Sequence, residues 1–347
     1  MKQFHKFWIV IAVLVPFLSL FSACGQSVSK GAPPVTVVKT NHQTQTADGW
    51  TLALQRYQRS TGPAFREPVF VASGYIENSR IFDAAPKQSL VHEMALAGHD
   101  VWTFDIRGTG ESESPEISWD NLEVNFSFDW TNFQFEFSVG MKGWEYSIDH
   151  FVLFDTPAAL DYVLQQTGAP QVNAVGHSMG ALMLYGLLQT TDASKIKSCS
   201  TAGGIGYIEP GTDYQSLFAD LFYEIGTFLA PILPSDFPLP LKWAIDELLG
   251  DDPFLWYGAC VALDTDAGKL FWNPENVNPN LIYQFLKHGL PNTTTNCFKQ
   301  FMEWADTGKC ALRGVEISSQ MAAQMGLAAK GWPVQATSQG KIGRAHV

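Results

Sequence analysis

The most informative part of the chain reads Val172-Asn173-Ala174-Val175-Gly176-His177-Ser178-Met179-Gly180-Ala181-Leu182-Met183. The short apolar run at its start favours a buried strand, and the apolar residues after Gly180 favour a helix. Between them stands Gly-x-Ser-x-Gly, a pattern that places serine on a sharp strand-to-helix turn with its hydroxyl exposed. The stretch therefore predicts that Ser178 is a catalytic nucleophile, and an incidental turn is the alternative interpretation.

The same turn predicts an oxyanion hole. The N–H of Met179 would lie at a helix N-terminus, where backbone donors favour developing negative charge. The second donor of such a site comes from the loop after the third strand. That loop is Ser73-Gly74-Tyr75-Ile76, so the N–H of Tyr75 is our candidate, with a plain turn as the alternative. His177 is expected to pack or to hydrogen-bond, because its side chain would point away from Ser178.

Strand and helix patterns alternate along the chain, which favours an α/β fold with a mostly parallel sheet flanked by helices. We predict a hairpin over 35–57, strands at 68–72, 100–104 and 172–175, and helices at 85–97, 149–166 and 179–190.

Two segments interrupt this order. Residues 112–146 contain two runs of aromatic residues with a spacing of two within each run and Thr131-Asn132 between them, which predicts a β-hairpin with one aromatic face that would help to shield an apolar site. These residues are Phe126, Phe128, Trp130, Phe133, Phe135 and Phe137. Residues 207–312 predict a helical cap, with helices at 216–229 and 280–288 and no evident strand. The hydrolase core would then be 35–206, and 313–340 would be an incomplete return to it.

Asp105 and Arg107 follow the strand that ends at Phe104. A catalytic role is conceivable for either residue. We interpret them instead as a charged pair that builds a tight loop with Gly108 and Gly110.

The first 24 residues are typical of an export signal. Lys2 and Lys6 precede an uncharged apolar run from Phe7 to Ala23. That run is short for a membrane span, which is the alternative. Its end resembles a bacterial lipoprotein box, in which Cys24 would carry the lipid and 25–34 would form a polar tether. We therefore expect a protein exported to the cell envelope and anchored to a membrane by lipid, with ordinary cleavage near Ala23 and secretion as the alternative.

Charge and cysteine content exclude several classes of partner. The formal net charge is −12 and no basic stripe is present, so we expect no nucleic acid. Four cysteines follow the signal, and Cys297 with Cys310 is the preferred disulfide among three possible full pairings. No zinc-like spacing occurs, so we expect neither a structural metal nor a cofactor.

The stretch from Trp144 to Val163, followed by Thr167-Gly168 and by Val175 to Gly180, resembles the acid lipases, the gastric and lysosomal branch of the α/β-hydrolases. Looser similarity includes the turn at Thr46-Ala47-Asp48-Gly49-Trp50. The chain has Ser73-Gly74 where that family has His-Gly. The resemblance implies the α/β-hydrolase fold, a helical cap, no cofactor, and a serine esterase or lipase acting on apolar acyl esters.

In this fold an acid and then a histidine follow the nucleophile. We find neither after Cys310, and His288 is a poor base because it lies in the predicted cap. The last residues, 341–347, can be encoded by AAG ATC GGA AGA GCA CAC GTC, which contains the start of a common sequencing-library adapter. We therefore expect a C-terminally truncated chain that lacks the last strands, in which His346 is an artefact and activity is nearly lost.

The leading hypothesis is hydrolysis of a small hydrophobic ester through an acyl-enzyme on Ser178. A thioesterase, a peptidase or a polyester hydrolase is possible on the same scaffold, because a fold does not fix its substrate. A non-catalytic surface lipoprotein that binds lipid is the alternative outside enzymes.

Overall fold

A computed structural model describes residues 35–62, 64–85, 88–204, 228, 233–234, 236–263, 277 and 279–307. From Thr36 onward these residues belong to one structural unit. The export signal, Cys24, the tether, the helix predicted at 216–229, Cys310 and the segments 313–340 and 341–347 lie outside the described residues, apart from position 228.

The centre of the described part is a six-stranded sheet. Its strands are β1 (Val37–Gln45), β2 (Thr51–Arg59), β3 (Val69–Ala72), β4 (Val101–Phe104), β7 (Val172–His177) and β8 (Ile196–Ala202). Their order is β1-β2-β4-β3-β7-β8. Strands β4, β3, β7 and β8 pair in parallel, whereas the β1–β2 hairpin joins the sheet by antiparallel pairing of β2 with β4. The predicted α/β fold with a mostly parallel sheet is confirmed.

The predicted hairpin turn at Asp48-Gly49 is also confirmed. Gly49 has a φ of +97°, which L side chains rarely adopt. The Thr46 hydroxyl donates to Asp48 at 2.6 Å and accepts from the N–H of Trp50 at 2.9 Å, so the turn is held by side chains as well as by backbone.

Successive side chains of β3 point to opposite faces of the sheet, so the core lies in two layers, one on each face. Val69 and Val71 pack with Val91 and Ala95 of α1 (Leu90–Leu96). Phe70 and Ala72 belong to a larger cluster on the other face, which includes the helices α2 (Ile148–His150), α3 (Thr156–Thr167) and α4 (Met179–Leu188). Helices therefore cover both faces of the sheet.

One predicted bound was wrong, and two features of the fold were not predicted. The helix predicted at 85–97 begins only at Leu90, because Asp83–Ala85 and Gln88–Ser89 form a short antiparallel ladder and Ser89 caps the helix by accepting from His92 N–H at 3.2 Å. The helix predicted at 149–166 contains a π-helical turn over Phe151–Asp155 between α2 and α3. Strand β8 was not predicted, because it is an edge strand with few buried residues.

The aromatic insert is the hairpin predicted from its spacing. Strands β5 (Leu122–Asp129) and β6 (Gln134–Met141) pair antiparallel, with Phe128 opposite Phe135. The expectation that the aromatic face shields an interior site was wrong for the side chains that the structure describes, because they are exposed to solvent: 68% for Phe126, 64% for Phe135 and 79% for Phe133.

The described part of the later chain is mostly helical. It contains α5 (Leu241–Leu249), α6 (Pro253–Leu263), α7 (Pro279–Gln284) with a π-helical turn over Phe285–Gly289, and α8 (Thr295–Thr307). The segment predicted at 280–288 is therefore helical. A two-residue ladder between Pro238–Leu239 and Thr293–Thr294 was not predicted. None of the described helices is both long and apolar enough to cross a membrane.

Candidate active site

Ser178 lies between the end of β7 and the first residue of α4. Its backbone has φ 50° and ψ −118°, a conformation that few residues other than glycine adopt. Strain of this kind persists only where the surroundings impose it, and it concentrates at functional sites. Here the N–H of Ser178 donates to Ala202 O at 2.9 Å, so the end of β8 holds the turn in place.

The two glycines of the motif are required by contact. A Cβ on Gly180 would lie 2.3 Å from Ala72 O, at the end of β3, and a Cβ on Gly176 would lie 2.7 Å from Ala181 N. Real Cβ atoms do not approach other heavy atoms so closely. The motif therefore has glycine at these positions because α4 begins directly against β3 and β7.

The loop after β3 passes beside the serine. A Cβ on Gly74 would lie 2.8 Å from Ser178 Cβ, so only glycine fits at that point. Ile76 in this loop has a φ of +53°. Among the described residues, no acceptor receives the N–H of Tyr75 or the N–H of Met179. Both predicted oxyanion donors thus have no acceptor among the described residues, and they lie on the loop and on the helix that flank Ser178.

The Tyr75 side chain points toward the later, helical part of the chain. Its ring stacks on Phe301 of α8 with centroids 5.7 Å apart, and its hydroxyl accepts from Thr293 Oγ1 at 3.4 Å. Burial raises the pKa of this phenol. The contact fixes the side chain of Tyr75, and it does not involve the N–H of this residue.

Sequence reasoning missed Glu77. Its Oε1 lies 2.6 Å from His177 Nδ1, and the same oxygen accepts the N–H of Gly74. The hydrogen bond to Glu77 raises the pKa of His177, although burial opposes the shift. His177 is therefore a hydrogen-bonding residue, as expected. A lone carboxylate in an otherwise uncharged loop, Ser73 to Asn78, was the available signal.

The expected pair of Asp105 and Arg107 is wrong. Arg107, 1% exposed, instead donates Nε to Asp155 Oδ1 at 2.8 Å and Nη1 to Asp48 Oδ2 at 2.6 Å. Asp105 accepts the N–H groups of Ser79 at 2.8 Å and Glu111 at 3.0 Å. Both residues are structural, as interpreted, but the loop closes through different partners.

Arg107 joins three distant parts of the chain: the β1–β2 turn, the loop after β4, and the π-helical turn before α3. Its guanidinium also lies 5.0 Å from the Trp50 ring centroid. Burial raises the pKa of Asp155 despite Arg107, whereas the hydrogen bonds from Arg107 outweigh burial and lower the pKa of Asp48. Two of the stretches that carry the family resemblance, the turn at 46–50 and the segment 144–163, therefore meet in one buried ion cluster.

His288 contributes its backbone to the site region. Asn78, in the loop after β3, donates Nδ2 to His288 O at 2.8 Å and its N–H to Gly289 O at 3.0 Å. Burial, with Arg80 nearby, lowers the pKa of the His288 ring. The later segment is thus tied to the loop that carries Tyr75, but His288 has no described contact with Ser178.

The remaining elements of a catalytic site are not found among the described residues. None of those residues hydrogen-bonds to Ser178 Oγ, and none of their acid, histidine and cysteine groups forms a cluster able to hold a metal. Cys297 is a buried free thiol whose predicted partner, Cys310, lies outside the described residues. A cavity of about 520 Å³ lies between α6 and α7, and neither Ser178 nor Tyr75 lines it.

Comparison with known proteins finds one matching family and several similar proteins. The family described as alpha/beta hydrolase fold matches residues 67–226. The chain is 30% identical to Lipase lipl-3 of Caenorhabditis elegans over 210 residues, 58% of this chain and 47% of the relative. It is 28% identical to gastric triacylglycerol lipase of Mus musculus over 289 residues, 77% of this chain and 64% of the relative. A solved Vigna radiata epoxide hydrolase mutant covers 78% of this chain and 75% of its own at 14% identity, with a TM-score of 0.42.

The sheet order, the serine turn and the family match define the α/β-hydrolase fold. Within that fold the chain is similar in sequence to lipases, among them the gastric triacylglycerol lipases. It spans about half the length of the first curated relatives that it matches.

Proposed function

We propose that this protein is a serine hydrolase that cleaves carboxylic esters of hydrophobic, lipid-like substrates. The observation that carries the proposal is the strained backbone of Ser178, held between two glycines that admit no Cβ. In a chain related to lipases, that geometry favours a serine whose hydroxyl is presented to a substrate.

In the proposed reaction, Ser178 Oγ attacks the acyl carbonyl carbon, and the carbonyl oxygen takes the negative charge. The N–H groups of Met179 and Tyr75, which no described acceptor occupies, would receive that oxyanion. One such donor typically contributes about 3 kcal/mol to transition-state stabilisation. The alcohol then leaves, and water hydrolyses the acyl-enzyme to release the acid and restore Ser178.

The serine proton needs a base, and a serine hydroxyl is a poor nucleophile without one. His177 is a poor candidate for this role, since its Nδ1 is bound to Glu77. The base and its acid partner therefore have no residue assignment among the described residues.

Labelling of the full-length natural protein with a fluorophosphonate probe tests the proposal. We expect an adduct on Ser178 that is absent in Ser178→Ala and retained in Ser200→Ala, a change at an exposed serine of β8. Hydrolysis of nitrophenyl esters of increasing acyl length then tests the substrate class. A rate that rises with chain length agrees with a lipid-like ester, whereas activity confined to acetyl esters, thioesters or peptides contradicts it.

A non-catalytic lipid-binding protein is the second candidate. It is favoured by one observation, the lack of any described hydrogen-bond partner for Ser178 Oγ. Absence of an adduct on folded protein with normal lipid binding would favour this candidate.

We also propose export, with Cys24 as the lipidated residue and a membrane as the partner of the N-terminus. Metabolic labelling with a radioactive fatty acid tests this. We expect label in the wild type and none in Cys24→Ala, and equal labelling of both chains contradicts the proposal.

A further inference from the structure

The hairpin formed by β5 and β6 has two chemically different faces. Directly opposed residues share a face, and alternate residues along each strand point the same way. One face therefore carries Val124, Phe126, Phe128 and Phe135, and the other carries Glu123, Asn125, Ser127 and Asp129. Such a ribbon has one side suited to an apolar phase and one side suited to water.

The apolar face continues into the turn. Trp130 and Phe133 are 78% and 79% exposed, and both rings contact Phe128, at centroid distances of 4.6 and 6.1 Å. Asp129 fixes the turn by accepting the N–H of Thr131 at 2.8 Å and Nδ2 of Asn132 at 2.9 Å. The aromatic tip is thus held in position, so little ordering is required when it binds.

The exposed apolar area is large for a single protein. An aromatic side chain presents about 150–250 Å², so Phe126, Trp130, Phe133 and Phe135 together offer on the order of 500 Å². Exposed patches of this size mark interaction sites. A stable protein interface needs about 800 Å² from each partner, which is more than this patch supplies. The area therefore favours a lipid surface over a second copy of the chain.

The charge of the hairpin and of the segment before it indicates which kind of lipid surface the hairpin can bind. Residues 108–141 contain no lysine, arginine or histidine. Their acidic residues are Glu111, Glu113, Glu116, Asp120, Glu123, Asp129 and Glu136. Anionic membranes attract basic segments by about 1 kcal/mol per residue and repel acidic ones. An acidic ribbon with an aromatic face matches a surface of neutral or zwitterionic lipid.

The position of the hairpin connects it with the candidate active site. The chain leaves the sheet at the carboxyl end of β4 and enters the hairpin through the loop that carries Arg107. Strands β4, β3 and β7 are parallel, so this end lies at the same edge of the sheet as Ser178. At its base the hairpin joins the body of the protein, where Met141 N–H donates to Asp236 O at 2.7 Å.

We propose that the aromatic face of the β5–β6 hairpin docks this protein onto the surface of neutral lipid. Trp130 and Phe133 enter the lipid first, and the face that carries Glu123 and Asp129 stays in water. The docking goes beyond ester hydrolysis and does not depend on Ser178 being active.

The test measures binding of the full chain to triolein droplets coated with phosphatidylcholine. We expect Trp130→Ser combined with Phe133→Ser to lower the partition coefficient at least about tenfold, which corresponds to about 1.4 kcal/mol. Phe254→Ser is the matched control, because Phe254 is 84% exposed on α6, and it should bind like the wild type. Circular dichroism establishes that each variant is folded.

A local readout is needed because residues 7–23 are themselves apolar. Brominated phosphatidylcholine quenches tryptophan at the lipid surface, and the difference between wild type and Trp130→Phe isolates Trp130. We expect strong quenching of that component. The proposal is overturned by equal binding of the double variant, by an unquenched Trp130, by tighter binding to droplets that carry phosphatidylglycerol, or by a dimer that the double variant disperses.

Discussion

Glu77 Oε1 lies 2.6 Å from His177 Nδ1 and also accepts the N–H of Gly74. One carboxylate thereby connects the loop that carries Tyr75 to the residue directly before Ser178. The two candidate oxyanion donors lie on these two segments, so their separation depends on this contact. Glu77 is 5% exposed, and the connection is therefore largely shielded from water.

Removal of the Glu77 side chain is expected to slow chemistry at Ser178. Glu77→Ala releases Gly74 and His177 together, and a misplacement of about 1 Å at a reacting centre can lower a rate about a hundredfold. We expect a tenfold to hundredfold lower rate of fluorophosphonate labelling, as an order of magnitude. Glu77→Gln keeps an acceptor for Gly74 N–H and should restore most of that rate. Equal rates in Glu77→Ala and wild type would show that Glu77 does not position the site.

The pair of Glu77 and His177 also predicts a pH-dependent stability. Since the pKa of His177 is raised in the folded protein, the folded state binds the proton more tightly than the unfolded state. The stabilisation is complete below the ordinary histidine pKa of about 6.5 and disappears as the pH rises through the folded value. In urea unfolding, the wild type should therefore exceed Glu77→Gln by more at pH 5 than at pH 9.

The control for this measurement is Glu111→Gln, which removes an exposed ion pair with Arg80. Its difference from the wild type should stay small over the same range, because exposed pairs contribute little. A difference for Glu77→Gln that is flat with pH would contradict the link to His177.

The buried cluster at Arg107 predicts a large loss of stability on mutation. Arg107→Met leaves the carboxylates of Asp48 and Asp155 without their cation, and breaking a buried pair in this way destabilises by about 3–5 kcal/mol. Arg80→Met is the exposed counterpart, with an expected change within about 1 kcal/mol. Urea unfolding compares the two variants, and similar losses for both would show that the cluster is not a main support of the fold.

Gly180, the second glycine of the Gly-x-Ser-x-Gly motif, predicts a contrast between two glycine-to-alanine changes. In Gly180→Ala the new Cβ meets Ala72 O at 2.3 Å, so α4 must move away from β3, and we expect a loss of both stability and Ser178 labelling. In Gly258→Ala, within α6, the new Cβ meets nothing within 4 Å. That change should stabilise the protein by about 0.5–1 kcal/mol, because alanine loses less backbone freedom in a helix. Thermal unfolding distinguishes the two, and equal effects would contradict the steric account of the motif.

Local patterns predicted much of the fold. Residue types that alternate along the chain predicted the β1–β2 and β5–β6 hairpins, and short apolar runs predicted β3, β4 and β7. These signals can be recognised because each lies within a few neighbouring residues. Edge strand β8 was missed because it is too little buried to show a pattern. The π-helical turn before α3 was also missed, and it ends at Asp155, whose partner Arg107 lies 48 residues earlier in the chain.

The sequence by itself determined the strand, turn and helix around Ser178 and the α/β-hydrolase fold of the chain. These follow from contiguous residues whose spacing encodes local geometry. Only the tertiary structure decided that Glu77 meets His177, that Arg107 binds Asp48 and Asp155 instead of Asp105, and that the aromatic hairpin faces solvent. Ion pairs and solvent exposure depend on which distant segments the sheet brings together. The spacing of residues along the chain does not indicate which segments these are.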